Sequence, residues 1–230
     1  MNKLKYILAF YILFLISSCA HTPPPPLVYN QGAVVETMST GISLSLQTPE
    51  RSISGSGFMV YRRPDKIHMI LLSPFGTTVF EVFALGNKIT LVYPSQGVAY
   101  TGPINQLPKK GGAQGWSLMR WVMDADPVGM TKINGTYGRV NNQGSKEDIT
   151  VINGLITVKS NSDGDKVYYE NYSLINGVPV ASEIDIRNKQ NDRIRLKLQE
   201  SEVNTHLNDA VFIPRLDGIK LLPLSELKLD

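Results

Sequence analysis

Residues 71–100 read LLSPFGTTVFEVFALGNKITLVYPSQGVAY, from Leu71 to Tyr100, and this stretch decides the fold. Apolar and polar residues alternate over Thr77 to Leu85 (TTVFEVFAL) and Lys88 to Tyr93 (KITLVY), the period of strands with one buried face. Gly86-Asn87 between them is a tight hairpin turn. Upstream, Pro74 and Gly76 end the apolar run Lys66 to Ser73 (KIHMILLS) and fix a turn with Phe75 at its tip.

The same alternation extends in both directions. Thr40 to Gln47 (TGISLSLQ) sets Ile42, Leu44 and Leu46 against Ser43, Ser45 and Gln47. After a turn at Pro49-Glu50, Ile53 to Arg62 reads as its hairpin partner, with Gly55 and Gly57 permitting a bend. Shorter strands follow at Thr136 to Val140, Asp148 to Ile152, Leu155 to Lys159 and Lys166 to Leu174, with Asn153-Gly154 and Asp163-Gly164 as turn dipeptides. Asn176-Gly177 leads through Pro179 into Val180 to Arg187, and Asn191-Asp192 turns into Arg193 to Gln199. In this last hairpin Ile184, Ile186, Ile194, Leu196 and Leu198 face one way. Glu183 and Asp185 oppose Arg193, Arg195 and Lys197 on the other side, worth roughly 0.2–1 kcal/mol per cross-strand pair.

One segment breaks the period. Gly115 to Asp126 (GWSLMRWVMDAD) places Trp116, Met119 and Met123 at helical spacing, with Leu118 and Val122 beside them, and stops before Pro127. A weaker helix is expected around Asn30 to Thr37. The predicted fold is mainly β: a strongly curved antiparallel sheet of about eleven to thirteen strands, a half-open β-barrel, with one to three covering helices.

The N-terminus carries a different signal. Lys3 and Lys5 precede the apolar run Tyr6 to Ile16, which is shorter than the roughly 20 residues a membrane-spanning helix needs. Leu15-Ile16-Ser17-Ser18-Cys19 resembles the lipobox of bacterial lipoproteins. That resemblance implies cleavage before Cys19, the chain's one cysteine, and its covalent modification by S-diacylglycerol and an N-acyl chain. Two acyl chains already anchor a protein stably. Ala20 after the cysteine, rather than aspartate, points to the outer membrane, with the domain facing the periplasm. The expected organisation is a signal peptide at 1–18, a lipidated cysteine and proline-rich linker at 19–32 (HTPPPP, a stiff polyproline spacer), and one domain at 33–230.

The chain has 23 Lys and Arg against 20 Asp and Glu, and removal of residues 1–18 takes away two lysines and no acid. Such a balance, without a basic cluster, argues against nucleic acid as a partner. With one cysteine there is no disulfide, so the fold rests on its core. His21, His68 and His206 show no metal-ligand spacing. Ser54-Gly55-Ser56-Gly57 lacks the first glycine of a nucleophile elbow. Neither catalysis nor a dissociable cofactor or metal is expected.

Taken together, Leu71 to Tyr100, the Trp-containing segment Gly115 to Met123 and the hairpin from Gly177-Val178-Pro179 to Leu198 resemble the LolA/LolB superfamily, and the LolB-type outer-membrane lipoproteins in particular. The resemblance spans residues 33–213, while Val211-Phe212-Ile213-Pro214 resembles a terminal strand of the soluble carriers. It implies a cavity for the acyl chains of lipoprotein cargo, a soluble LolA-like periplasmic carrier as partner, and a monomeric acceptor on the outer membrane. It also implies that Pro74, Phe75 and Gly76 form a membrane-insertion loop with Phe75 protruding. The other reading of Phe75 is a side chain folded back to cap the cavity.

Phe58, Val60, Ile67, Met69, Leu71, Phe80, Val82, Trp116, Met119 and Met123 are the candidates for lining that cavity, although alternation does not separate cavity walls from packed core. A second class of function is an accessory envelope lipoprotein that uses the curved sheet as a protein-docking surface. A large apolar cavity favours the first reading and a filled core the second.

Overall fold

The computed structural model describes residues 27–30, 32–49, 52–108, 113–129, 133–141, 143–189 and 192–227. The predicted signal peptide, Cys19 and the proline run lie outside them. Six strands come first: β1 (Thr37–Gln47), β2 (Ser52–Arg62), β3 (Lys66–Leu72), β4 (Thr78–Leu85), β5 (Lys88–Tyr93) and β6 (Val98–Pro103). The helix α1 (Ala113–Met123) follows, then β7 (Gly135–Val140), β8 (Lys146–Ile152), β9 (Leu155–Asn161), β10 (Lys166–Ile175), β11 (Val178–Arg187), β12 (Arg193–Val203) and β13 (Lys220–Pro223).

All thirteen strands form one sheet in the order β13-β6-β5-β4-β3-β2-β1-β12-β11-β10-β9-β8-β7. It does not close, since β13 and β7 are its edges. Pairing is antiparallel except between β13 and β6. Each hairpin reverses the chain, so the turns after β1, β3, β5, β7, β9 and β11 gather at one end of the sheet. Those after β2, β4, β8 and β10 gather at the other.

Registers define the inner face. Thr40, Met59, Met69, Val82, Leu91 and Tyr100 sit opposite one another across six strands. Side chains from β5 (Leu91) and from β8 (Ile149) belong to one apolar core that also holds Met119, Trp121 and Val122 of α1. The sheet therefore wraps around the helix, as a twisted half-barrel must if both its ends are to share one core.

Two local expectations change. No helix forms over 33–36 among the described residues. Asn204 instead accepts from the Glu36 and Thr37 amides at 2.8 and 3.3 Å and donates to the Val34 carbonyl at 3.0 Å, so a side chain supplies the bonds a helix would have made. Nor is Val211-Phe212-Ile213-Pro214 a strand: Asp209–Phe212 is a 3-10 turn, capped by Asn208, which accepts from the Ala210 amide at 2.9 Å.

The segment after β12 crosses the outer face of the sheet. Phe212 is buried, with the Arg62 guanidinium 5.1 Å and the Lys66 ammonium 6.0 Å from its ring centre, and both cations pair with Asp209. Leu216 and Ile219 pack on Phe83, Val92 and Ala99, so β5 is covered on both faces. Beyond Gly218 the chain turns onto the β6 edge as β13, and Leu224 and Leu227 then reach the main core.

Candidate functional site

The loop between β3 and β4 is a braced display of one aromatic side chain. Ser73 bridges it: its hydroxyl accepts from the Phe75 and Thr77 amides at 3.2 and 3.3 Å and meets the Thr77 hydroxyl at 2.7 Å. Its amide donates to the Thr77 carbonyl at 2.8 Å and its carbonyl accepts from Gly76 at 2.9 Å, where the backbone takes φ +79°. That positive φ calls for glycine, and Pro74 restricts the preceding position. Phe75 is 93% exposed and does not fold back over the interior.

Behind the loop an aromatic wall lines the inner face. Tyr100 meets Tyr93 edge-on at 6.0 Å, Tyr93 meets Phe80 at 4.9 Å, and Phe80 meets Trp116 of α1 at 5.8 Å. On the other flank a small apolar cavity of about 50 Å³ lies between the end of α1 and β10–β12, lined by residues such as Met38, Met123, Tyr172, Val180 and Leu198. Sites for drug-sized ligands run to about 300–1,000 Å³, so this space is too small for an acyl chain.

The C-terminal end of α1 is tied to the sheet by buried polar groups. Lys159, with no exposed surface, donates from Nζ to the Trp121 and Asp124 carbonyls at 2.7 and 2.6 Å, and its charge lies 5.1 Å from the Trp121 ring centre. The Trp121 carbonyl also accepts from the Asp124 amide at 3.2 Å, and a cation at this end of the helix complements its dipole. Glu147 accepts from the Trp121 indole, from Arg139 at 2.6 Å, and lies 3.6 Å from Lys159. The Tyr169 hydroxyl donates to the Val122 carbonyl at 2.6 Å.

Burial pulls the Lys159 ammonium down to about 8, against the opposing attraction of Glu147 and Asp124. Burial by itself would raise the Glu147 carboxyl, yet Lys159, Trp121 and Arg139 together hold it below its ordinary value. Burial pushes the Tyr169 phenol well above its usual range.

The predicted lining residues divide between two faces. Ile67, Met69, Val82 and Met119 are buried in the core, and Leu71, Phe80, Trp116 and Met123 are half-buried against it. Phe58 and Val60 point the other way: Met59 and Tyr61 are the inward residues of β2, and Phe58 is 59% exposed on the outer face. Both residue sets of that strand are apolar near its end, so alternation alone did not fix its parity. Gly57, on the inward set, lies so close to β3 that a side chain there would place Cβ 1.8 Å from the Ile70 carbonyl oxygen.

Sequence reasoning passed over Lys159, Glu147, Arg139 and Tyr169. One signal was present: Lys159 stands where strand β9 should be apolar. It also missed Leu224 and Leu227, which follow a β13 too short to announce itself.

The family model for the outer membrane lipoprotein LolB matches residues 37–200. No curated protein matches the chain. Among solved structures, a DUF1329 family protein from Desulfovibrio piger is similar with a TM-score of 0.56 at 9% identity, covering 78% of this chain and 90% of that one. A domain from Vibrio parahaemolyticus named for outer-membrane lipoprotein sorting gives 0.53 at 11% identity, covering 76% and 88%. At these identities the two structures speak for the fold. The family match spans the sheet from the start of β1 into β12, with the braced loop and α1 inside it, and the chain belongs to the LolB family of outer membrane lipoproteins.

Proposed function

We propose that this protein is a non-enzymatic acceptor, held on the periplasmic face of the outer membrane by a lipidated Cys19, that takes the acyl chains of lipoproteins into its apolar interior and releases them into the bilayer. Its partners in this reading are acylated lipoprotein cargo and a soluble LolA-like carrier. No dissociable cofactor takes part. Membership of the LolB family supports a lipoprotein-handling role.

The observation that carries the reading is Phe75, held out at 93% exposure on a loop whose every turn bond is made. A rigid apolar tip at the end of a sheet has no folding purpose. Moved into lipid, a Phe side chain contributes about 1.5–3 kcal/mol, enough to favour transient bilayer contact but not to anchor a domain.

The test is delivery of a fluorescent lipoprotein from a loaded carrier to outer-membrane vesicles. Phe75→Glu should keep the wild-type unfolding midpoint and lose most delivery, while Phe75→Leu retains it. Undiminished delivery by folded Phe75→Glu refutes the role of the loop.

One observation favours the accessory-docking reading instead. Among the described residues, the space between α1 and β10–β12 comes to about 50 Å³, too little for an acyl chain. The acceptor reading therefore requires part of the chain to leave the interior before cargo enters.

A further inference from the structure

Resting on that acceptor reading, we propose that the acyl-chain site lies on the inner face of β6, in the space filled by Leu224 and Leu227, and that a cargo acyl chain enters by displacing this C-terminal plug. Among the described residues, α1 and the plug both reach into the core, and their attachments differ in kind. The helix end is held by Lys159 on two carbonyls, by Tyr169 on a third and by the Trp121–Glu147 bond, all in a buried setting where breaking a charged pair is costly. Its first turn is also close-packed, since a side chain at Gly115 would bring Cβ within 2.0 Å of Ile194 Cδ1.

Among the described residues, the plug has no comparable side-chain ties. Leu224 is fully buried and Leu227 nearly so, but the turn Leu224–Glu226 has no side-chain cap and closes through the Leu227 amide on the Leu224 carbonyl at 3.1 Å. Behind it stands only the four-residue edge strand β13, the sheet's one parallel pairing. Within β13, Leu221 is 52% exposed and Pro223 has no N–H to donate. Gly218, at φ +72°, makes the turn that precedes Ile219 and the strand. The outer part of the segment is fastened separately, by Phe212 between Arg62 and Lys66 and by Leu216 and Ile219 on Phe83, Val92 and Ala99.

The seat fits a hydrocarbon chain. β6 has no side chain at Gly102, where a Cβ would lie 2.9 Å from that of Leu224. From this end of β6, Tyr100, Tyr93 and Phe80 continue along the inner face towards the Phe75 loop at the opposite end of the sheet. Leu224 and Leu227 thus occupy the start of an apolar path, and the rest of it is walled by aromatic rings.

The test uses the full chain in detergent micelles and a synthetic triacylated lipopeptide, with capture read by native mass spectrometry and motion by amide hydrogen exchange. Lipopeptide should speed exchange over 220–227 about tenfold or more while α1 stays protected. Leu224→Ser/Leu227→Ser should raise affinity by about tenfold or more, because the binding-competent fraction rises. The paired variant Leu221→Cys/Ala99→Cys, register partners on β13 and β6 away from that path, should capture poorly when oxidised and recover on reduction.

Capture that leaves 220–227 protected, or that opens α1 instead, overturns the plug while leaving the acceptor reading intact. So does capture unaffected by the oxidised lock. No capture by any form, the unplugged one included, overturns the acceptor reading itself and this proposal with it.

Discussion

Glu147→Gln isolates the buried charge cluster at the end of α1. The substitution keeps shape and volume but removes the carboxylate 3.6 Å from the Lys159 ammonium, which has no exposed surface. Removing one partner of a buried pair costs about 3–5 kcal/mol. In a domain of this size each kcal/mol moves Tm by roughly 2–4 °C, so a fall of about 10 °C is expected. Lys159→Met should cost less, about 1–3 kcal/mol, because the two lost carbonyl bonds are offset by relief of a desolvated charge. The double variant should lie above the sum of the singles by about 1–3 kcal/mol, since it leaves no orphaned charge.

The assay is urea unfolding followed by the fluorescence of Trp116 and Trp121, both in α1. The cluster also predicts an unusual alkaline limb. The folded state releases the Lys159 proton near pH 8 and the unfolded state near 10.5, so the unfolded state binds more protons in between and stability rises with pH across that window. The rise amounts to about 3 kcal/mol at most and disappears in Lys159→Met. Above pH 10 it gives way to a fall, because buried Tyr61, Tyr169 and Tyr172 resist an ionisation that is free in the unfolded chain. A Glu147→Gln variant within about 1 kcal/mol of the parent, or singles that sum in the double, would mean that packing alone holds the helix.

Gly57→Ala should be severely destabilising, by about 3 kcal/mol or more, since its Cβ meets the Ile70 carbonyl at 1.8 Å and backbone must move; near-parental urea stability would contradict the register of β2 and β3. Asp185 holds the Arg187 and Arg193 guanidiniums at 2.7 and 2.6 Å. Burial opposes its ionisation, but Arg193 and Arg187 hold its carboxyl below the ordinary 3.8, so its contribution is present at neutral pH and lost as pH falls below that value. Asp185→Asn should cost about 1 kcal/mol at pH 7, given the partly exposed arginines, and flatten the acid limb of a pH titration of stability; an unchanged limb refutes the assignment.

The meander was legible because most of its strands bury one face, and Gly86-Asn87, Asn153-Gly154 and Asn176-Gly177 mark the reversals. Phe75 was legible for the same reason: Pro74 and Gly76 define a turn, and turn tips point outward. What escaped was set by contacts distant in sequence. Lys159 breaks an apolar face, and its partners appear only when Trp121 and Asp124, 38 and 35 residues away, bring two carbonyls to it. The parity of β2 was hidden because Phe58 and Val60 are as apolar as Met59 and Tyr61, the pair that faces inward. The segment 205–227 carries no alternation because it follows the surface of another element, and its apolar residues are spaced by that surface rather than by a helix or strand repeat.

A filled interior suits an acceptor that has to let go. Burying an acyl chain of about sixteen carbons is worth roughly 12 kcal/mol relative to water, at about 0.8 kcal/mol per CH₂. A bilayer returns the same amount, so an empty, preformed apolar site would have little reason to surrender its cargo. Two displaced leucines change the balance by about 3–6 kcal/mol, the worth of their own burial. Capture from water stays favourable, while passing the chain to lipid and reseating Leu224 and Leu227 runs downhill by that difference. In this scheme the plug sets the direction of transfer, and weakening it should tighten capture and slow delivery together.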